Sequence, residues 1–233
     1  MRVASSLSLF FRYAQRAWIA LLEKQVAFET ELVDLQDKPA AFVAKYREAN
    51  PNARARAKVP VLEHDGHTLT ESLVVAEYIE EAFAGRGTAL MPPGAAARAA
   101  ARLAIELGPF SYFPVLRAGD DADAKAAALA ELEAALGGFD ALLREKGAGD
   151  GPFMFDDFSL VEAALAPFAQ RMCAVLPALA GVEPRGLMAP RLARWCDAVL
   201  ARESVRASGV PDDELRASAT AMLARFAAAE NKS

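Results

Sequence analysis

The chain has 233 residues, of which 54% are hydrophobic, and its formal net charge is −5 at pH 7. This length and apolar content suit one large or two small folded domains and exclude a disordered chain. Lysines and arginines are interspersed with acidic residues, and we find no apolar run of membrane-spanning length. We therefore expect neither a nucleic acid nor a membrane as a partner.

The composition gives little support for disulfide or metal chemistry. Its two cysteines, Cys173 and Cys196, both fall in helical patterns, and we expect small core residues in a reducing compartment. The two histidines, His64 and His67, flank a predicted turn, and two ligands without a carboxylate partner do not make a metal site. We predict no metal.

The N-terminal segment has two interpretations. Residues 1–22 contain three arginines, several serines and no acidic residue, a composition that resembles a transit peptide or a weak signal sequence. The same residues also fit the first strand and helix of a folded domain. We expect a cytoplasmic location, with a plastid as the alternative if a transit peptide has been removed.

The first 84 residues predict alternating strands and helices. Residues 3–9 predict a buried strand. The apolar residues that follow at helical spacing, up to Leu22, predict a helix. Residues 26–33 alternate as a half-buried strand, with Phe28 and Leu32 on the buried side. Asp37 before Lys38-Pro39 predicts a helix with proline at an early position, running through Tyr46.

A hairpin and a third helix complete this half. Residues 59–62 and 67–70 predict two strands joined by an Asp65-Gly66 turn, and a helix begins at Ser72. The order is β-α-β-α-β-β-α. Residues 85–94, rich in glycine and proline, predict a linker.

Residues 95–233 predict an all-helical domain. Helical patterns cover 95–117, 122–146, about 160–176, 188–203 and 211–229. Ser159 and Glu162 have the spacing of a capping box before an apolar run, which is a strong helix start.

Three stretches resemble the glutathione transferase superfamily: YAQRAWI at 13–19, KVPVLEH at 58–64 continuing to Glu71-Ser72, and GPF, FSLVE and APF between 151 and 168. They are most similar to its cysteine-type classes, lambda above all, then omega and the dehydroascorbate reductases. The resemblance implies a thioredoxin-like glutathione-binding domain in residues 1–84 and an all-α domain in residues 95–233.

The resemblance also implies which residues bind glutathione. The backbone of Val59, before a cis Pro60, would pair with the cysteinyl part of the tripeptide as an added strand does. Ser72 at a helix N-terminus suits the γ-glutamyl carboxylate, and Glu71 its ammonium group. Lys38 matches a family lysine that reaches the glycine carboxylate. Glu71 and Ser72 could also be a simple helix cap, and Lys38 a solvated surface lysine.

The chain departs from the cysteine-type pattern at the catalytic thiol. Phe11 stands at the cysteine position and Arg12 at that of the following proline. Cysteine-dependent thiol transfer and dehydroascorbate reduction are therefore disfavoured, whereas conjugation needs only a glutathione thiolate. Arg12 and Ser8 are candidates to stabilise that thiolate, with Tyr13 as a third, and Arg12 could equally be an exposed residue at the helix start.

A small hydrophobic second ligand is expected between the domains, near Phe11, Tyr13, Phe110, Tyr112 and Phe113, although core packing explains these aromatics equally well. Two functions rank close together: glutathione conjugation, and non-catalytic carriage of glutathione or a glutathione conjugate. A structural or regulatory role ranks behind them. The sequence leaves monomer and homodimer open.

Overall fold

The computed structural model describes residues 1–5, 11–52, 54–108, 111–148 and 151–230, except for the side chains of residues 11, 229 and 230. The chain divides into two compact units, Met1–Met91 and Pro92–Ser233. The division falls within residues 85–94, the predicted linker.

The first unit contains a four-stranded mixed sheet and three helices. The elements in chain order are β1 (Arg2–Ser5), α1 (Phe11–Glu23), β2 (Glu29–Leu32), α2 (Ala40–Ala49), β3 (Val61–His64), β4 (His67–Thr70) and α3 (Ser72–Ala82). This confirms the predicted β-α-β-α-β-β-α order. The sheet order is β2-β1-β3-β4, with β1 parallel to β2 and antiparallel to β3. Val3, Ile19, Leu62 and Ile79 are fully buried in the core of the unit.

The β3–β4 hairpin follows from its turn residues. His64 pairs with His67, so that Asp65 and Gly66 form a two-residue turn, with φ angles of 48° and 77°. Positive φ at both central residues is the geometry that Asp-Gly favours between twisted strands. The predicted hairpin is confirmed.

Two predictions about the first unit are wrong. Leu32, expected on the buried side of β2, has 57% of its surface exposed, and Val33 is the buried residue there. The reason is that Leu32 and Val33 point to opposite faces of the sheet, and the face that is covered at this end of β2 is the one that carries Val33. Pro39 precedes α2 as its N-cap residue and is not part of the first helical turn.

The predicted linker is anchored to the first unit along part of its length. Lys24 is buried and its Nζ contacts the Glu80 carboxylate at 2.8 Å and the Thr88 carbonyl oxygen at 3.2 Å. The same Glu80 oxygen accepts a hydrogen bond from the backbone N–H of Leu90 at 3.0 Å. Leu90 is fully buried, so these residues belong to the core of the unit and not to a free connection.

The second unit is helical in all its described regular structure. Its elements are α4 (Ala95–Leu107), α5 (Phe113–Arg117), α6 (Ala122–Glu145), α7 (Leu160–Ala180), a 3-10 helix (Pro184–Leu187), α8 (Pro190–Ala201), α9 (Glu203–Ala207) and α10 (Asp212–Glu230). The all-helical prediction is confirmed.

One helix predicted as continuous is divided, because the segment 95–117 contains α4 and α5. The helix predicted over about 188–203 is α8, which ends at Ala201, and the short α9 follows it. Gly108 follows α4 at a close approach, because a Cβ there would lie 2.5 Å from Leu165 Cδ1 on α7. The alanine-rich sequence favours one continuous helix, although the pair Gly108-Pro109 is a helix-breaking signal.

Helix α7 begins with the predicted capping box. Ser159 Oγ accepts a hydrogen bond from the N–H of Val161 at 3.2 Å, and Glu162 Oε2 accepts one from the N–H of Ser159 at 2.9 Å. Glu162 is fully buried and also accepts from Trp195 Nε1 at 2.9 Å, which ties the helix start to α8. By length and composition alone α7 could cross a membrane, but 67% of its most apolar 18-residue stretch is buried, as in a core helix.

Candidate functional site

The segments that the sequence associates with glutathione lie at one edge of the sheet, namely the edge at which β1 and β2 end and β3 begins. In the parallel β1–β2 pair both strands run toward this edge, so the loop containing Lys38 leaves from it. Val61 opposes Ala4 of β1 and Thr70 of β4 in antiparallel pairs. The residues just before β3 and just after β4 therefore lie at the same edge.

The entry to β3 has the backbone geometry predicted for Val59 and Pro60. The Val59–Pro60 peptide bond is cis, and Val59 is 7% exposed. The Pro60 carbonyl oxygen accepts a hydrogen bond from Thr70 Oγ1 at 3.2 Å. This bond fixes the start of β3 against the end of β4, one residue before Glu71.

Glu71 joins β4 to α3 through an unusual backbone conformation. Its φ of 69° and ψ of 115° lie in a region that residues other than glycine rarely occupy. Its side chain is exposed and makes no cap hydrogen bond to α3. Such a conformation costs of order 1–3 kcal/mol and is commonly found where function requires it. Glu71 is therefore a candidate ligand-binding residue on evidence beyond the motif.

Ser72 is the first residue of α3, and its buried hydroxyl is hydrogen-bonded to the buried side chain of Arg16. Arg16 Nη1 donates a hydrogen bond to Ser72 Oγ at 3.1 Å. Burial lowers the pKa of Arg16 to about 10, against a raising effect of Tyr13, so the guanidinium stays charged at neutral pH. Its charge adds to the partial positive charge at the α3 N-terminus, and both favour an anion.

Arg16 is the site residue that the sequence analysis missed. It belongs to the motif that carries the family resemblance, but its sequence position gave it no role of its own. The apolar spacing of α1 places Arg16 and Glu23 on its polar side, whereas both are buried in the structure together with Gln15, so the spacing offered no signal for Arg16.

The remaining residues of the first unit are placed as follows. Lys38 is half-buried in the loop before α2. The Arg12 guanidinium lies 5.0 Å from the centroid of the Tyr13 ring, and that of Arg16 lies 5.4 Å from the same centroid. Tyr13 is 39% exposed, so an aromatic ring flanked by two cations lies at the start of α1. Ser8 and the side chain of Phe11 lie outside the described residues.

Besides Tyr13, two residues of the predicted aromatic pocket are described, and both lie in the second unit. Tyr112 is buried, and the Phe113 ring lies edge-on to Phe226 of α10 with 5.7 Å between centroids. These contacts suit helix packing, and Phe110 lies outside the described residues. A role for Tyr112 and Phe113 in ligand binding stays a prediction.

Histidine and acidic side chains do not assemble a metal centre in the part of the chain that the structure describes. His64 Nδ1 lies 2.9 Å from the hydroxyl of Tyr78, and the His64 ring also packs against Phe83. These contacts give His64 a structural environment in the hairpin.

Comparison with known proteins identifies the family. Family models of the glutathione S-transferase N-terminal and C-terminal domains match residues 12–82 and 122–198. Protein IN2-1 homolog B of Oryza sativa subsp. indica is 36% identical over 168 residues, covering 68% of this chain and 60% of that protein. The chain thus spans about three-fifths of the length of the first curated relatives that it matches.

Two lambda-class proteins of Arabidopsis thaliana are also similar. Glutathione S-transferase L1 is 31% identical over 190 residues, covering 79% of this chain and 72% of the relative. Glutathione S-transferase L2, chloroplastic, is 34% identical over 188 residues, covering 78% and 58%. The resemblance to the lambda class is confirmed.

A solved structure extends the likeness over almost the whole chain. The rice protein GST1 (OsGSTU1), solved in complex with glutathione, is 26% identical, covers 97% of each chain and has a TM-score of 0.77. Fold, domain models and relatives agree, and the chain belongs to the glutathione S-transferase family.

Proposed function

We propose that this chain is a glutathione transferase that binds glutathione at the sheet edge formed by Val59, Pro60, Glu71 and Ser72. The observation that carries the proposal is the backbone of Glu71, held at a φ of 69° where it leads directly into the buried hydroxyl of Ser72. Such a strained backbone conformation is explained if the start of the helix binds a ligand, because strained residues are often retained at ligand-binding sites.

Each part of the tripeptide has a matching group at this edge. The Val59 backbone offers strand-like hydrogen bonds to the cysteinyl residue. The Ser72 hydroxyl and the α3 N-terminus receive the γ-glutamyl carboxylate, and the exposed Glu71 carboxylate receives the ammonium group. Lys38 is the candidate for the glycine carboxylate.

The reaction that we propose is conjugation of glutathione to a small hydrophobic electrophile. The glutathione thiol loses its proton to solvent, its sulfur attacks an electrophilic carbon, an S–C bond forms and the leaving group departs with the electrons of the broken bond. Arg12 at the start of α1, or Ser8, would favour the thiolate by charge or hydrogen bonding. Phe11 replaces the thiol that a transferase of the cysteine type would use.

A second candidate function is carriage of glutathione or a glutathione conjugate without reaction. The observation that favours it is Phe11 itself, because an apolar residue in place of a reactive thiol suits a ligand cradle. Both functions need the same glutathione site and differ only in chemistry.

A conjugation assay with chlorodinitrobenzene as the electrophile separates the two functions. A transferase gives a rate above the uncatalysed reaction, and Arg12→Met lowers kcat about tenfold if Arg12 stabilises the thiolate. Arg47→Met, which removes an exposed cation of α2, is the matched control and should leave kcat unchanged. Saturable glutathione binding with no rate above background over several electrophiles favours the carrier, and absence of both contradicts the proposal.

Location and assembly follow as secondary proposals. We infer a cytoplasmic protein, and the relative named chloroplastic supports a plastid as the alternative. A fluorescent fusion of the full chain distinguishes the two compartments, and light scattering at micromolar concentration distinguishes a monomer from a homodimer.

A further inference from the structure

The two cysteines of the chain meet within the second unit. Cys173 on α7 and Cys196 on α8 are 23 residues apart in sequence, and their Sγ atoms lie 4.0 Å apart. Both are free thiols; Cys196 is fully buried, whereas Cys173 is partly exposed. Cys196 is therefore enclosed within the unit, whereas part of Cys173 reaches the surface.

A cation lies beside this pair. Arg185, in the 3-10 helix between α7 and α8, forms an ion pair of 2.6 Å with Asp197, the residue that follows Cys196. The hydrogen bond from Cys173 and then Arg185 lower the pKa of Cys196 to about 7, although burial and Asp197 oppose them. The pKa of Cys173 is raised, chiefly by the same thiol–thiol hydrogen bond. The electrostatic environment of the pair thus favours loss of the Cys196 proton over loss of the Cys173 proton.

We propose that Cys173 and Cys196 are a redox-sensitive site, which a small hydroperoxide converts into a reversible intramolecular disulfide. The separation of 4.0 Å requires the two sulfurs to approach by about 2 Å to reach bonding distance. Close packing alone explains two small buried residues. It does not explain the Arg185–Asp197 ion pair next to Cys196, or the contrast between a partly exposed and an enclosed cysteine.

The reaction proceeds in two balanced steps. Loss of one proton to solvent leaves the charge mainly on Cys196, and the proton of Cys173 then passes to Cys196 within their hydrogen bond. The Cys173 thiolate formed in this way attacks a peroxide oxygen. An S–O bond forms, the O–O bond breaks, and the product is a sulfenic acid with one hydroxide. Hydroxide then removes the proton from Cys196, whose thiolate attacks the sulfenic sulfur, so that the S–S bond forms and the S–O bond breaks. In total, two thiols and hydrogen peroxide give one disulfide and two water molecules.

This site is independent of the proposed glutathione-binding function. None of its residues belongs to the sheet edge, and the oxidant is a hydroperoxide and not a glutathione species. Loss of glutathione binding in a variant such as Glu71→Ala would leave the thiol pair intact, so the two proposals fail separately.

Mass spectrometry of the full chain tests the proposal. The protein is treated with a small excess of hydrogen peroxide, alkylated in denaturant and digested without reduction. We expect neither cysteine to be alkylated. Instead, the two peptides that contain Cys173 and Cys196 should be joined by a disulfide, with a combined mass lower by two hydrogen atoms, and dithiothreitol should restore both thiols. Two alkylated thiols after prolonged treatment, or disulfides formed only between chains, would overturn the proposal.

Variants test the order of events and the role of the cation. In Cys196→Ser, dimedone should trap a sulfenic acid at Cys173, whereas Cys173→Ser should give no trapped product at the enclosed Cys196. Arg185→Gln should slow disulfide formation about tenfold at neutral pH and shift its pH profile upward. Arg206→Gln, which removes an exposed cation of α9, is the control. Equal rates and pH profiles in the two arginine variants would contradict the role of Arg185.

Discussion

Arg16 Nη1 and Ser72 Oγ lie 3.1 Å apart in a hydrogen bond that joins α1 to the first residue of α3. Both residues are buried, with 5% and 8% of their surfaces exposed. Because the serine oxygen accepts from Arg16, its own O–H is left to donate to an anion at the helix N-terminus. Arg16 is in this account a positioning residue for the γ-glutamyl carboxylate.

Replacing Arg16 tests this role. Arg16→Met should raise the Kd for glutathione roughly tenfold, because the hydroxyl loses its orientation and the helix start loses a nearby cation. Titration calorimetry should compare glutathione with cysteinylglycine, which lacks the γ-glutamyl carboxylate. We expect the preference for glutathione to fall in Arg16→Met and to be partly restored in Arg16→Lys. An unchanged preference would show that Arg16 only supports the fold.

Replacing Glu71 by glycine should raise the stability of the protein and lower its affinity for glutathione. Its φ of 69° suits glycine, and its side chain makes no cap hydrogen bond that a substitution would lose. Glu71→Gly should therefore raise the free energy of unfolding by about 1 kcal/mol, measured by urea denaturation, while glutathione affinity falls at least tenfold.

Glu71→Ala is the matched control, because alanine keeps the Cβ and its conformational cost. It should lose affinity for glutathione as the glycine variant does, without the gain in stability. Equal unfolding free energies for the two variants would contradict the strain at this position.

Phe11→Cys should create an activity that the chain lacks at that position. A cysteine at the first residue of α1 would lie at a helix N-terminus, which lowers thiol pKa values and favours mixed disulfides with glutathione. We expect measurable thiol-transferase turnover with a glutathionylated peptide, and none in Phe11→Ser. Equal turnover in the two variants would mean that the scaffold around the thiol has also diverged.

Lys24 and Glu80 should be important for the stability of the first unit. Lys24→Met leaves the Glu80 carboxylate without its buried partner and should lower the free energy of unfolding by about 3 kcal/mol. The double variant Lys24→Met/Glu80→Gln removes that charge but keeps an acceptor for Leu90, and it should recover part of the loss. Arg2→Met, which breaks an exposed ion pair, should change stability by at most about 0.5 kcal/mol.

The features predicted correctly from sequence are those encoded by neighbouring residues. Asp65-Gly66 specifies its hairpin, and Ser159 with Glu162 specifies the start of α7, because both depend on chain conformation over a few positions. The cis bond at Pro60 was predicted from the family resemblance and is present in the structure.

The features that sequence missed depend on contacts between distant residues. Leu32 is exposed because it lies on the uncovered face at the end of β2, and the alternation of β2 alone could not reveal which face other elements cover. Arg16 acquires its role only when α3 is placed beside α1. The meeting of Cys173 with Cys196 likewise requires the packing of α7 on α8, which separate helical patterns do not specify.

A nuclear magnetic resonance titration of the full chain with glutathione tests the central claim most directly. We predict saturable shifts of backbone amide signals that are largest at Val59, Glu71 and Ser72, with smaller changes at Lys38. Glu71→Ala should abolish saturation at the same concentrations. Absence of saturable shifts, or shifts confined to the opposite end of the hairpin at His64 and His67, would contradict the account.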